Sequence, residues 1–193
     1  MIDHTLGVVL AGGRSSRMGS DKASIEIGGT SLLERATGML SVIFDTVAVA
    51  GGQSAPDGSI LLTDRIEGGG PLAGLDAAYH LGTGRAVFLM AVDMPFLDEE
   101  SVLAVVEPPV GENAIRVAVS GGRHQPLCGV YGRGLGALVA EYLEGDDRSM
   151  ARLFSAVEVV DLVDVGEHAM TNVNTVEDLD EAIRRSGPPR STR

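Results

Sequence analysis

The segment Leu10-Ala11-Gly12-Gly13-Arg14-Ser15-Ser16-Arg17-Met18-Gly19-Ser20-Asp21-Lys22 gathers glycines, hydroxyls and cations directly behind the apolar run Leu6-Gly7-Val8-Val9-Leu10. That combination suits a triphosphate. Paired glycines let backbone N–H groups approach phosphate oxygens as an anion nest, and Arg17 and Lys22 add charge-assisted donors. Neither common phosphate template fits: the segment contains no G-x-x-x-x-G-K-[ST], and Gly12-Gly13 opens no G-x-G-x-x-G. A P-loop NTPase and a plain dinucleotide-binding dehydrogenase are therefore disfavoured. A solvated Gly/Ser surface turn is the plainer alternative. Two arginines and a lysine placed just after an N-terminal strand favour the anion site.

Polar groups also gather behind other apolar runs. Ala86-Val87-Phe88-Leu89-Met90-Ala91-Val92 ends in Asp93-Met94-Pro95. A carboxylate there is placed to hold Mg²⁺, a hard cation that takes few protein oxygens; its other reading is a turn cap before Pro95. Ile60-Leu61-Leu62-Thr63 runs into Asp64-Arg65 and then Gly68-Gly69-Gly70-Pro71-Leu72-Ala73-Gly74. Those glycines permit a close backbone approach, and Pro71 suits a first helical turn whose amides can meet an anion, a base or a ribose. Asn172 and Asn174 stand before a final helical pattern. Asn174 reads as its cap, and Asn172 as turn chemistry or a ligand contact.

The elements that must carry these groups alternate along the chain. Strands are predicted over residues 6–11, 46–50, 60–63, 87–92, 115–120, 126–131 and 158–161, and helices over 31–40, 71–81, 99–106, 135–143, 150–156 and 176–185. Ser31-Leu32-Leu33-Glu34 fits a capping box, Asp98 caps the helix that stops before Pro108-Pro109, and Asn174 caps the last. Strand–helix alternation from the first residues predicts an α/β sandwich with a mainly parallel sheet. In such sheets ligands lie at the carboxyl ends of the strands, where the polar groups collect.

With 193 residues, the chain reads as one domain over 1–185 with a disordered tail at 186–193 that is rich in Pro, Arg and Ser. The formal net charge of −12 disfavours nonspecific binding to nucleic acid or an anionic membrane. Cations clustered within so acidic a chain point to an anionic small ligand. The single cysteine, Cys128, lies in an apolar run and reads as a buried structural thiol. The start, Met1-Ile2-Asp3-His4, lacks a basic leader, and no apolar run reaches the ~18 residues of a membrane helix. A cytoplasmic location is the expectation.

The pattern Leu10-Ala11-Gly12-Gly13-x-Ser15-x-Arg17-Met18-Gly19-x-Asp21-Lys22 resembles the N-terminal signature of the molybdenum cofactor guanylyltransferases, within the nucleotidyltransferase superfamily. Gly70-Pro71-Leu72-Ala73-Gly74, Asp93-Met94-Pro95-Phe96-Leu97, Gln125-Pro126-Leu127 and Asn172-Val173-Asn174-Thr175-x-Glu177-Asp178-Leu179 resemble that family's later motifs, in the same order. The resemblance spans residues 6–183. It implies a three-layer, Rossmann-like nucleotidyltransferase fold. It also implies transfer of GMP from GTP to the terminal phosphate of molybdopterin-bound molybdenum, with release of pyrophosphate. Carried over residue by residue, it implies that the backbone of Leu10, Ala11, Gly12 and Gly13, the Lys22 side chain and Asp64 contact GTP. It further implies that Asp93 binds Mg²⁺ and reaches the nucleotide, that Arg17, Lys22 and Asp93 serve catalysis, and that Asn172 and Asn174 face the pterin. The family leaves room for docking of molybdoenzyme chaperones or other cofactor-biosynthesis proteins.

One departure stands out. The family often places an Asn after the second strand, whereas this chain has Ala48-Val49-Ala50-Gly51-Gly52-Gln53. The backbone of Ala50 or Gly51, or the Gln53 amide, is left to substitute. Three other readings compete. A cytidylyltransferase for the same cofactor typically carries Leu-Ala-Ala-Gly at the first motif and lacks Gly-Pro-Leu-Ala-Gly. A sugar-phosphate nucleotidyltransferase is usually longer. A non-catalytic nucleotide-binding partner could lose Lys22 or Asp93, and both are present.

Overall fold

A computed structural model describes residues 1–12, 22–157 and 159–173, together with positions 178, 180 and 184. In chain order its elements are β1 (Thr5–Leu10), a 3₁₀ turn (Lys22–Ser24), β2 (Glu26–Ile27), β3 (Thr30–Ser31), α1 (Leu32–Ile43), β4 (Val47–Ala50), β5 (Ile60–Leu61), α2 (Gly70–His80) and β6 (Ala86–Ala91). There follow α3 (Glu99–Val106), β7 (Ala114–Ser120), β8 (Arg123–Tyr131), a second 3₁₀ turn (Arg133–Leu135), α4 (Gly136–Glu144), α5 (Met150–Ala156), β9 (Val159–Asp164) and α6 (Gly166–Ala169). Asp178, Asp180 and Arg184 are helical, and the remainder of the predicted final helix lies outside the described residues.

Seven strands form the central sheet in the order β5-β4-β1-β6-β8-β7-β9. Every pairing is parallel except those of β8, which runs antiparallel to both β6 and β7. The sheet divides the interior into two apolar layers. Val9, Phe88 and Val130 face α1 and α3, while Val8, Leu89 and Tyr131 face α2, α4 and α5. Alternate residues of each central strand thus enter opposite cores, the period of two that a strand covered on both faces must show. This is the α/β sandwich expected from the alternation, in the three layers that the family resemblance implies.

The caps read from sequence form. The Ser31 hydroxyl accepts from the Glu34 N–H at 3.2 Å, and the Glu34 carboxylate accepts from the Ser31 N–H at 2.9 Å. The Asp98 carboxylate accepts from the Ser101 N–H at 2.9 Å. Each satisfies helix-end donors that would otherwise lack partners.

From β1 the chain moves outward to β4 and β5 and then crosses back over α2 to β6, on the other side of β1. The strand order therefore reverses between β1 and β6, and a ligand crevice is expected at their carboxyl ends. Among the described residues no helix is long and apolar enough to cross a membrane.

Candidate active site

The crevice opens into a cavity of about 770 Å³. One wall comes from β1 and β4. Leu10, Gly12, Ala50 and Gly51 reach it, and Gly12 packs against the Gly51 backbone. A Cβ on Gly12 would lie 3.1 Å from the Gly51 carbonyl oxygen, and Gly51 holds φ of +72°. Both positions need glycine, one for the close approach and one for the left-handed backbone. Of the substitutes for the missing Asn, Ala50 and Gly51 line the cavity, while Gln53 is exposed and does not. Ala11 is packed in the core, and its N–H donates to the Ala50 carbonyl at 2.9 Å.

Lys22 enters from the first 3₁₀ turn. That turn is held because Ala23 and Ile25 are buried in the core layer under α1. The Lys22 ammonium donates to the Asp93 carboxylate at 2.7 Å, and both side chains are largely shielded. Asp93 follows β6, and its backbone carbonyl accepts from the Val173 N–H at 2.9 Å. This bond ties the C-terminal segment to the end of β6 and carries Asn172 into the cavity wall.

Asp64 and Asn172 each present a buried side-chain oxygen, Oδ1 in both cases, with no hydrogen-bond partner among the described residues. Burial, and behind it the negative charge of Asp76, raises the Asp64 carboxyl above its ordinary range. Partnerless acceptors on two side chains that line one cavity are the arrangement expected where a ligand supplies donors or a cation.

Of the residues singled out in the sequence, Leu10, Gly12, Lys22, Asp64, Asp93 and Asn172 come together. Gly13, Arg17 and Asn174 lie outside the described residues. Cys128 is buried and unpaired, and burial pushes its thiol up to about 12, which suits a packing role. His124 is exposed and away from the cavity.

Gln125 and Met150 also line the cavity. Gln125 sits in a motif that drew attention without a role. Opposite Ala118 the register of β8 jumps from Gly129 to Gln125, a bulge in which Pro126 and Leu127 also line the cavity. The Tyr131 hydroxyl pins that bulge by donating to the Pro126 carbonyl at 2.6 Å. Met150 opens α5, and nothing in its local sequence distinguishes it from a core methionine.

A family model described as the MobA-like NTP transferase domain matches residues 7–161. A Pelotomaculum thermopropionicum protein named "Probable molybdenum cofactor guanylyltransferase" is 34% identical over 187 residues, covering 91% of this chain and 90% of that one. The molybdopterin-guanine dinucleotide biosynthesis protein A from Archaeoglobus fulgidus superposes with a TM-score of 0.77 over 94% of this chain and 98% of its own, at 20% identity. A Mycobacterium tuberculosis protein, Rv0371C, solved as a complex with manganese, superposes with a TM-score of 0.70 at 20% identity over 95% of this chain and all of its own. At that identity the two superpositions establish the shared fold.

Proposed function

The chain belongs to the MobA-like NTP transferase family, and from that premise we propose that it is a molybdenum cofactor guanylyltransferase. It transfers GMP from GTP to the terminal phosphate of molybdopterin-bound molybdenum and releases pyrophosphate. The observation that carries this reading is the meeting of Gly12, Lys22, Asp64, Asp93 and Asn172 in one cavity. The curated relative's name supports guanine over cytosine, as do Gly12-Gly13 and Gly70-Pro71-Leu72-Ala73-Gly74.

In the transfer, an oxygen of the acceptor phosphate attacks the α-phosphorus of GTP. The bond from that phosphorus to the bridging oxygen breaks, and pyrophosphate leaves with the electron pair. The acceptor is already an anion, so no protein nucleophile or base is required. What the protein must supply is alignment and relief of charge between two anionic substrates.

The backbone at Leu10 and Gly12 lies against the nucleotide, with Ala50 and Gly51 in place of the usual Asn. The Lys22 ammonium neutralises the phosphates, joined by Arg17 of the same sequence motif. Asp64 accepts from donors of the nucleotide. Asn172 faces the pterin, with Asn174 beside it in sequence.

The donor set fits Mg²⁺. Asp93 offers a carboxylate at the cavity, and the neighbouring orphan acceptors on Asp64 and Asn172 are also hard oxygens. Asp93 would hold Mg²⁺, which when bound would draw off phosphate charge and stabilise the leaving pyrophosphate.

Thermal unfolding with Mg²⁺ and each of GTP, CTP, ATP and UTP tests the base, because a ligand that binds only the folded state raises its melting temperature. GTP should give the largest rise. Pyrophosphate release from GTP with molybdopterin should follow, and consumption of CTP with GTP untouched would overturn the guanylyl reading.

A further inference from the structure

The loop between β5 and α2 carries two charged neighbours that face opposite ways. Asp64 lines the cavity, and Arg65 does not. Arg65 turns instead to α2, where its Nε donates to Asp76 Oδ2 at 2.7 Å and its Nη2 to Asp76 Oδ1 at 3.3 Å. Asp76 is the only carboxylate among the described residues that is fully buried, whereas the Arg65 side chain is 41% exposed. One turn further along α2, the His80 Nδ1 donates to the Asp76 backbone carbonyl at 2.9 Å and lies 3.4 Å from its Oδ1.

A buried carboxylate is a costly choice at this position. Its neighbours Leu72, Ala73, Leu75, Ala77 and Ala78 on α2 are all buried, and an apolar side chain would fill the place without desolvating a charge. Buried ion pairs seldom add net stability over apolar packing, and their best-attested use is to specify register. The planar guanidinium engages the carboxylate through two nitrogens, which sets direction as well as distance.

We propose that Asp76 is a positioning residue for nucleotide binding. By seizing Arg65 it anchors the β5–α2 loop to α2, and this presents the adjacent Asp64 carboxyl to the nucleotide. This inference rests on the GTP reading of the cavity. The same contact commits the Arg65 charge to α2 and keeps it away from the phosphates. The negative charge of Asp76 also contributes, after burial, to the raised proton affinity of Asp64.

Replacing both partners by apolar residues separates positioning from stability. The double variant Arg65→Met/Asp76→Leu should melt near the wild-type temperature, since it removes a buried charge together with its partner. It should nevertheless bind GTP, measured calorimetrically with Mg²⁺, about tenfold more weakly, the low end of the cost of losing a group that orients a metal ligand. The KM for GTP should rise while the KM for the pterin substrate holds. Arg65→Lys keeps the charge and loses the fork, and should weaken GTP binding in the same sense. Wild-type GTP affinity in either folded variant overturns the proposal. Absence of GTP binding by the wild-type protein itself removes the guanylyl reading, and the inference with it.

Discussion

The Lys22 ammonium and the Asp93 carboxylate meet at 2.7 Å although they stand 71 positions apart in the chain. The contact joins the first 3₁₀ turn to the segment just after β6, and both residues line the cavity. With side chains 19% and 15% exposed, the pair is shielded enough for its charges to matter. In the proposed function each partner also has a part in the transfer, the ammonium for phosphate and the carboxylate for a cation. The pair holds both side chains at the cavity wall.

Asp93→Asn should leave the fold intact and stop turnover. The amide oxygen still accepts from Lys22, but the anionic ligand is gone. Loss of one charged group at the phosphates should cost at least about hundredfold in kcat, or about 2.7 kcal/mol of transition-state stabilisation. Circular dichroism and pyrophosphate release would check the two halves. Near-normal turnover at saturating Mg²⁺ would remove Asp93 from the mechanism.

Lys22→Ala should act on both stability and binding. It strips a charge-assisted donor from a shielded carboxylate, which costs about 1–3 kcal/mol. It also deprives the phosphates of a cation, so GTP affinity should fall by about tenfold or more. Chemical denaturation and GTP titration measure the two effects. Unchanged affinity would return Lys22 to a purely structural role.

Asp64→Asn should stabilise the protein at neutral pH while weakening nucleotide binding. Burial and the charge of Asp76 raise the folded-state pKa of Asp64 above its ordinary value of 3.8. The folded protein then binds this proton more tightly than the unfolded chain, so above that pKa the ionised side chain subtracts stability. The penalty fades as pH falls through the raised pKa toward 3.8, and the advantage of Asn should fade with it. Melting curves across that range test the sign, and a variant no more stable at neutral pH refutes it.

Gly74→Ala should destabilise, although Ala is the better helix former. A Cβ there would press into the Leu10 side chain and stand 3.1 Å from the Ala50 Cβ. The propensity gain of about 1 kcal/mol is outweighed by overpacking worth about 1–3 kcal/mol, leaving a small net loss. Leu10 lines the cavity, so relief of the clash should also weaken GTP binding. A melting temperature above wild type would show that the α2–β1 contact yields freely.

Much of the sandwich was legible because its signals are local. The strand over 87–92 appears as β6 (Ala86–Ala91), and the helices over 99–106 and 150–156 appear at those bounds. The strand shows as an unbroken apolar run, and the first of these helices carries its cap at Asp98. The two-residue strands β2 and β3 and the four-residue α6 are too short to display a period, and they went unseen. The direction of β8 was equally hidden, since an apolar run reads alike for a parallel and an antiparallel strand.

The sequence by itself determined which groups stand at the strand ends: Leu10 and Gly12 after β1, Asp64 after β5, Asp93 after β6, Asn172 before the last helix. Those placements follow from the residue types and the periods of the flanking elements, which act over a few positions. Only the tertiary structure decided that Lys22 closes on Asp93, that Arg65 turns from the cavity to Asp76, and that Gln125 and Met150 join the wall. These depend on strand order, on the β8 bulge and on the packing of α2. They are contacts between residues distant in the chain, set by which faces are buried together, and no local pattern encodes such a pairing.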